Sequence, residues 1–228
     1  MENERFTRRS SLAKLGGLVA AGIGGSALVS SEAAEGGNKA VETGAVSCVL
    51  TPELTEGPYY IAGEKVRRDI REGHTGTLLT LHLRVLNVAT CSPIKGAAVD
   101  IWHADAAGNY SGFSSDSSSR TFMRGIQRTD ANGLATFLTV YPGWYQGRTV
   151  HIHAKVHVGG RVVHTGQLFF PDTLTDVVYK QAPYASRPNR TTRNAQDSIY
   201  INGGKYGMLK VVKSGAGYVG SIAMGVHR

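Results

Sequence analysis

A short stretch in the second half of the chain holds several side chains that can bind a metal ion. YPGWYQGRTVHIHAKVH, residues 141–157, contains tyrosines, an arginine and three histidines. Within it, TVHIHAKVHV alternates with a period of two, so a β-strand would point His151 and His153 to the same face. Two imidazoles about 7 Å apart along a strand can share a metal ion. The pair alone does not decide between a metal site and surface histidines.

Two tyrosines near predicted strand ends add oxygen donors to this set. Tyr145 lies in the turn PGWYQG just before the strand, and Tyr110 ends the passage IWHADAAGNY. Phenolate oxygen is a strong donor to Fe(III), a poor match for Ca²⁺ or Mg²⁺, and less usual for zinc. Two histidines and two tyrosines would therefore favour ferric iron.

Most of the chain is predicted to be β-structure. TLLTLHLRVLNV, residues 77–88, alternates, and one of its faces is formed by Leu79, Leu81, Leu83 and Val85. Further strands are predicted in GAAVDIWHAD, LATFLTVYP, TVHIHAKVHV, RVVHTGQLFF and GMLKVVKSGAGYVGSIAMGV, with a two-residue hairpin at Gly159-Gly160. Short strands without a long amphipathic helix predict an all-β fold, an antiparallel β-sandwich with long active-site loops and little helix.

The segment 171–198, PDTLTDVVYKQAPYASRPNRTTRNAQDS, interrupts this pattern. It is polar, contains Pro183 and Pro188, and is longer than an ordinary connection. Its first part predicts a short helix, and the segment as a whole favours a flap beside a site.

Length, composition and charge limit the class of protein. The 228 residues suit one well-cored domain, and the composition is too apolar for a disordered chain. The net charge is +8 without any run of lysine and arginine. We therefore expect anionic small molecules or surfaces, and no nucleic acid, as partners.

The N-terminal residues predict an export signal. Arg8-Arg9 lies in TRRSSLAKL, which resembles a twin-arginine signal, and a Gly/Ala-rich apolar stretch follows. That stretch is too short for a transmembrane helix, which needs about 20 apolar residues. We expect residues 1–36 to be removed, residues 37–47 to be a flexible lead-in, and the bacterial protein to reach the periplasm or the exterior without a stable membrane span. A disordered basic tail is the alternative.

Cys48 and Cys91 are the only cysteines of the chain. In an exported protein they could form one disulfide, but the sequence leaves their distance open. Two cysteines so far apart do not make a zinc site by themselves.

Six motifs lie between residue 55 and residue 170: TEGPYY, VRRDI, AAVDIWHADAAGNYSGF, RTDANGLATFLTVYPGWY, RTVHIHAKV and GQLFF. Their order and approximate spacing resemble the intradiol ring-cleavage dioxygenases, the family that includes protocatechuate 3,4-dioxygenase and catechol 1,2-dioxygenase. The resemblance covers residues 48–228, which we take as the catalytic domain. It implies non-haem Fe(III) as the cofactor. It also implies cleavage of a catechol-type aromatic diol by O2 to a cis,cis-muconate-type dicarboxylate.

The resemblance also implies the metal ligands. Tyr110 and Tyr145 correspond to the two tyrosinate ligands, and Tyr145 is the one expected to leave when substrate binds. His151 and His153 correspond to the two histidine ligands. Tyr141 is the rival for the position of Tyr145, but it fits worse because it precedes the proline.

Further residues correspond to the surroundings of the metal. Arg148 corresponds to the arginine that supports charge developing on the substrate, and Gln167 to the glutamine that lines the site. Trp102 corresponds to a tryptophan of the pocket wall, and Pro58 with Tyr59 to a segment that borders the substrate. Taken singly, the arginine could be a surface cation, the tryptophan ordinary core and the glutamine a solvent-facing strand residue.

Three features depart from the better-known members. Five residues separate Tyr145 from His151, where those members have a longer insertion, so we expect a more open site. We expect the chain to lack the N-terminal helical dimerisation region of the catechol 1,2-dioxygenases and to be closer to the protocatechuate type. An export signal is unusual for these cytoplasmic enzymes. The oligomeric state stays open, with a homo-oligomer among the options.

Other readings of the chain stay open. One is a secreted β-sandwich binding module without metal, and another is a metalloprotein with a different metal, such as copper on the histidine pair. The remaining histidines fall into two groups. Structural roles are expected for His103, His157 and His164, and no role is assigned to His74, His82 and His227.

Overall fold

In the part of the chain that the structure describes, eight β-strands form two four-stranded sheets that share one apolar core. The computed structural model describes residues 48–113 and 117–228. The strands are β1 (Leu78–Asn87), β2 (Ala98–Trp102), β3 (Arg124–Arg128), β4 (Leu134–Val140), β5 (His151–Val158), β6 (Arg161–Phe169), β7 (Lys210–Ser214) and β8 (Gly217–Val226). The sheet orders are β4-β1-β8-β7 and β3-β2-β5-β6. The predicted all-β sandwich is confirmed.

Among the described residues, helical structure is confined to short pieces. The α-helices are α1 (Asp172–Val178) and α2 (Ser198–Ile201), and 3₁₀ turns cover Tyr184–Ser186, Asn194–Gln196 and Gly204–Gly207. None of the helices in the two described ranges is long and apolar enough to cross a membrane. The predicted export signal and the flexible lead-in, residues 1–47, lie outside the described residues.

Strands in which every second residue is apolar supply the core from both sheets. The core-facing side chains of β1 are at most 1% exposed: Leu79, Leu81, Leu83 and Val85. Those of β5 are fully buried: Ile152, Ala154 and Val156. Each fully buried leucine or isoleucine contributes about 2 kcal/mol to folding, so this face of each strand is strongly specified.

One strand pairing differs from the predicted antiparallel arrangement. β1 and β8 run parallel, with Leu79 opposite Tyr218 and Leu83 opposite Ile222. The other pairings are antiparallel. The chain crosses from β6 in the second sheet to β7 and β8 in the first. A local sequence pattern does not predict such a crossing between sheets.

The hairpin turn and the polar edge strand explain which strands could be predicted from the sequence. The predicted hairpin joins β5 to β6, and Gly159 and Gly160 have φ values of 59° and 80°, which glycine adopts without strain. β3 was not predicted, because its sequence RGIQR offers Ile126 as its single apolar residue. It forms the edge of the second sheet, where a polar strand is tolerated.

An extended segment, residues 53–64, covers the outer face of the second sheet. Glu53 lies 3.0 Å from His164 Nδ1, and the Glu56 carboxylate pairs with the Lys155 ammonium. Lys155 lies on the face of the sheet that points away from the core, opposite Thr165. Side chains of β5 that the alternation would leave in solvent are therefore buried by this segment.

A disulfide ties the start of the described chain to the turn after β1. Cys48 is bonded to Cys91, with 5.5 Å between the Cα atoms and a sequence separation of 43. The pairing that the sequence left open is therefore present.

The 171–198 segment, predicted as a flap beside a site, packs against the loop before β5. Its first part is the predicted short helix, α1. The rest is hydrogen-bonded to the loop before β5: Tyr179 Oη donates to Pro142 O at 2.9 Å, and Thr149 Oγ1 donates to Asn194 Oδ1 at 2.6 Å. The segment therefore supports that loop.

Candidate active site

Two loops and one strand bring the four predicted ligands together. Tyr110 lies in the Tyr110 loop (residues 103–113) after β2, and Tyr145 lies in the Tyr145 loop (residues 141–150) before β5. His151 Nε2 is 3.1 Å from His153 Nε2 and 3.1 Å from Tyr145 Oη. The Tyr110 ring centroid lies 5.6 Å from that of Tyr145 and 6.3 Å from that of His153. These four side chains therefore face one point.

The two histidines are held in the neutral form. Burial, assisted by the Arg148 cation, lowers the pKa of His151 to about 3. Burial, followed by the neighbouring His151, lowers the pKa of His153 well below its ordinary value. His151 Nδ1 lies 2.6 Å from Thr149 O, which places the proton on Nδ1 and leaves a lone pair on Nε2. Neutral imidazole is the form that binds a metal ion.

Burial affects both phenols, and the Tyr110 hydroxyl is short of hydrogen-bond partners. Tyr110 is 5% exposed, and its hydroxyl has no partner of ordinary geometry among the residues that the structure describes. Burial, followed by the nearby Tyr145 phenol, raises the pKa of Tyr110 well above its ordinary value. Burial also raises the pKa of Tyr145, and Arg148 opposes this effect. A buried polar group without a partner is costly, and a cation in place of the phenol proton would remove that cost.

The geometry and chemistry of this set fit a ferric ion. Two imidazole nitrogens bound to one metal at about 2.1 Å are about 3.0–3.4 Å apart, and the Nε2 atoms of His151 and His153 are 3.1 Å apart. Phenol oxygens complete the set, and they suit Fe(III). Within residues 48–113 and 117–228, no three or more His, Cys, Asp and Glu side chains are arranged for a metal ion. The tyrosines are therefore half of the candidate donor set.

The predicted arginine and glutamine lie beside the ligands. Arg148 Nη1 is 3.3 Å from His151 Nε2, and Nη2 donates to Gln167 Oε1 at 2.5 Å. Gln167 is 2% exposed, and its amide nitrogen donates to Thr55 O at 2.8 Å. The guanidinium group is therefore held in place by neighbours on two sides, and the glutamine faces the site and not solvent.

Asp197 is a site residue that the sequence analysis missed. It is 2% exposed, and Oδ2 accepts hydrogen bonds at 2.8 Å from Arg148 Nε and from Thr149 N. Burial raises the pKa of Asp197, but the hydrogen bonds from Thr149 and Arg148 outweigh this effect and lower it. Oδ1 caps α2 by accepting from Ile199 N and Tyr200 N. An N-cap aspartate was the available sequence signal, but it does not reveal the contact with the arginine.

The predicted aromatic residues take different positions around the site. Trp102 is 1% exposed and stacks on His153, with centroids 4.8 Å apart and planes at 7°. It therefore packs behind the ligand. Tyr59 stacks on Tyr110, with centroids 4.3 Å apart and planes at 17°. Pro58 is exposed.

A cavity of about 210 Å³ opens in front of the tyrosines. Its lining is formed by Tyr59, Gly108, Asn109, Tyr110, Phe113 and Tyr145. Phe113 is 46% exposed and stands edge-on to Tyr59, with centroids 5.1 Å apart. Sequence analysis did not identify Gly108, Asn109 or Phe113, although all three flank Tyr110 in GNYSGF. The volume suits a small ring, since drug-sized ligands occupy about 300–1,000 Å³.

Buried Arg124, also missed, holds the stacked tyrosine pair. It is 1% exposed, Nη1 donates to Tyr59 O at 2.6 Å, and Nη2 donates to Ser111 O at 2.8 Å. Its guanidinium carbon lies 6.0 Å from the Tyr110 ring centroid. The arginine therefore fixes the backbone beside both rings, and its charge opposes the effect of burial on the pKa of Tyr110.

Comparison with known proteins places the chain among dioxygenases. A family model described as Dioxygenase matches residues 55–174. Catechol 1,2-dioxygenase 2 of Acinetobacter lwoffii is 34% identical over an alignment of 163 residues that covers 62% of this chain and 55% of that protein. Catechol 1,2-dioxygenase of Acinetobacter baylyi is 33% identical over an alignment of 156 residues that covers 57% of this chain and 50% of that protein. The chain spans about half the length of these curated relatives.

Solved structures extend the likeness to the three-dimensional fold. The intradiol ring-cleavage dioxygenase from Tetranychus urticae has 36% identity and a TM-score of 0.76, over 79% of this chain and 95% of that one. The dioxygenase domain of a carbohydrate-binding fusion protein from Streptomyces sp. SirexAA-E has 29% identity and a TM-score of 0.62, over 78% and 99%. The chain belongs to the intradiol ring-cleavage dioxygenase family.

Proposed function

We propose that this protein uses non-haem Fe(III) and O2 to cleave a catechol-type aromatic between its two hydroxyl-bearing carbons. The product would be a cis,cis-muconate-type dicarboxylate that contains both atoms of O2. The observation that carries the proposal is the convergence of Tyr110, Tyr145, His151 and His153. Relatives named as catechol 1,2-dioxygenases support the substrate class. When bound, Fe(III) would supply a Lewis acid that holds both catechol oxygens and makes the ring reactive towards O2.

Tyr145 is suited to receive a proton from the substrate. Its ring lines the cavity, and its Oη lies 3.1 Å from His151 Nε2. A catechol that binds through both oxygens loses two protons, and a released Tyr145 phenolate would take one of them at Oη. Because burial raises the pKa of Tyr145, the phenol would retain that proton during the rest of the reaction.

Arg148 and Gln167 are suited to stabilise negative charge that develops on the substrate. Their side chains are joined by a 2.5 Å hydrogen bond, and Asp197 orients the guanidinium group from the other side. Donors that are held in place before reaction stabilise a transition state without reorganising. At the mouth, Tyr59 and Phe113 would hold the aromatic ring by edge and face contacts.

An oxygen-uptake screen on iron-loaded protein tests this proposal. Catechol, protocatechuate, hydroxyquinol and larger lignin-like catechols would be supplied, and we expect one O2 consumed per muconate-type product for at least one of them. Arg148→Met should lower kcat by roughly 100-fold, whereas Arg161→Met, at an exposed arginine of β6, should not. No oxygen uptake with any of these catechols, or a semialdehyde product, would contradict the proposal.

We also propose that the protein is exported. The pair Arg8-Arg9 with the apolar stretch after it supports this. The Cys48–Cys91 disulfide also suits an oxidising compartment. Replacing both arginines of the pair with lysine should leave the protein in the cytoplasm in a cell-fractionation experiment, and unchanged export would contradict the twin-arginine assignment.

A further inference from the structure

The two loops that carry the tyrosines touch backbone to backbone. Gly143 N donates to Asp105 O at 2.9 Å, and a methyl group at Gly143 would lie 2.6 Å from the same oxygen. Gly108, with φ of 85°, packs against the Trp144 carbonyl with no room for a side chain. Glycine at both positions therefore permits the close approach of the Tyr110 loop and the Tyr145 loop.

Arg187, from the 171–198 segment, spans this contact. Its Nη1 donates to Ala107 O in the Tyr110 loop and, at 3.0 Å, to Trp144 O in the Tyr145 loop. Trp144 Nε1 donates back to Arg187 O at 3.0 Å, and the guanidinium carbon lies 4.6 Å from the Trp144 ring centroid. One arginine is therefore bonded to both tyrosine-bearing loops.

The charge of Arg187 is directed at these carbonyl groups. Across residues 48–113 and 117–228, no carboxylate forms an ion pair with it. By contrast, Arg190 and Arg193 of the same segment pair with aspartates. Hydrogen bonds from a charged donor are stronger than those between neutral groups. The two hydrogen bonds from Arg187 are therefore a strong local constraint on the two loops.

The backbone is held differently on the two sides of Tyr145. Trp144, directly before it, accepts a hydrogen bond from Arg187 at its backbone oxygen. Gln146 and Gly147, directly after it, are exposed, and nothing lies within 4 Å of a methyl group built on Gly147. Arg187 therefore restrains the backbone directly before Tyr145.

We propose that Arg187 is a positioning residue that sets the spacing of the Tyr110 and Tyr145 loops and so holds the two phenols in place for a shared metal ion. The proposal rests on the proposed function for its metal, but the loop restraint itself does not need iron. The role belongs to Arg187 acting through Ala107 O and Trp144 O, since its side chain does not line the cavity before the tyrosines.

Hydrogen–deuterium exchange on the metal-free chain tests the restraint directly. In Arg187→Met, an unbranched side chain is kept and the donors are lost, so amides of the two loops should exchange roughly tenfold faster while β1 is unchanged. Arg187→Lys, which keeps one charged donor, should fall in between. The matched control is Arg193→Met, at an arginine of the same segment that pairs with Asp176, and it should leave both loops unchanged.

A second readout connects the restraint to the metal. After loading with Fe(III), a chelator should remove iron from Arg187→Met at least about fivefold faster than from the parent chain or from Arg193→Met. Unchanged exchange in the two loops, or faster exchange that extends equally to β1, would overturn the proposal. If the parent chain takes up no iron, the proposed function fails, and the exchange experiment still decides the role of Arg187. Trp144→Phe, which removes the Nε1 donor to Arg187 O and leaves a smaller ring against the guanidinium group, repeats the exchange test if Arg187→Met does not fold.

Discussion

At the residue scale, orientation and protonation of the donors are set before any substrate arrives. His151 uses Nδ1 for the Thr149 carbonyl, so its Nε2 faces the other donors. Arg148 places a positive charge 3.3 Å from that nitrogen, which opposes protonation of the ring. The phenols keep their protons until a cation replaces them, so metal binding should release protons.

Asp197→Asn should impair catalysis through Arg148 while leaving the fold intact. Asparagine is still a good N-cap for α2, but it lacks the negative charge that receives Arg148 Nε and Thr149 N. We expect kcat to fall roughly tenfold, as for other residues that orient catalytic groups, with the iron retained. Asp176→Asn, at a half-exposed aspartate of the same segment, is the matched control. Equal effects of the two changes on steady-state rates would refute the assignment.

His103 should make stability depend on pH. It is fully buried, and Nδ1 and Nε2 each lie 2.8 Å from an oxygen, of Ala104 and Thr139 respectively. Burial lowers the pKa of His103 from 6.5 to about 4. As the pH falls, the unfolded chain takes up the proton first, so the contribution is complete above pH 6.5 and is lost between 6.5 and 4. This loss is at most about 3 kcal/mol.

Urea unfolding at several pH values measures this dependence. His103→Gln cannot titrate, so its free energy of unfolding should vary less between pH 6.5 and pH 4 than that of the parent chain. The other buried histidines titrate in both proteins, and the difference isolates His103. Identical pH slopes would show that the imidazole does not stay neutral in the folded state.

At the element scale, strand register places the ligands. Trp102 of β2 and Gln167 of β6 both lie opposite His153 of β5. The ligand is thereby held between a stacking ring and the amide that contacts Arg148. A register slip of one residue would point both ligand histidines into the apolar core.

Local sequence patterns could predict these strands but not all that surrounds them. Alternation is sufficient to predict β1 and β5, because every second residue of each strand is apolar and faces the core. The position of Tyr110 beside the histidines came from its motif. Asp197, Arg124 and Arg187 could not be found in this way, because each contacts the site through loops that approach only in the folded chain.

The disulfide is an element-scale restraint whose removal should lower stability. Cys48–Cys91 closes a loop with a sequence separation of 43, for which the chain-entropy estimate is about 4 kcal/mol. The double change Cys48→Ser, Cys91→Ser should therefore lower the urea midpoint, and the parent chain should reach the same midpoint when it is reduced. No difference between oxidised and reduced parent chain would contradict a stabilising bond.

At the scale of the whole molecule, the sandwich separates stability from chemistry. The apolar core lies between the two sheets, whereas the candidate site lies on the outer face of the second sheet, under residues 53–64. That segment contributes Thr55 to the Gln167 contact and Tyr59 to the cavity. Substitutions in the core should therefore change the free energy of unfolding. Substitutions on the outer face should change metal binding and the catalytic rate.

The visible absorption spectrum of the purified chain after loading with Fe(III) tests the central claim most directly. Tyrosinate bound to Fe(III) absorbs visible light, so the parent chain should be red to burgundy. Tyr110→Phe and His153→Ala should lose this colour or bind no iron. Tyr141→Phe should keep it, because Tyr141 is fully buried in the core and bonded to Thr175. A parent chain that stays colourless and takes up no Fe(III) would contradict the account.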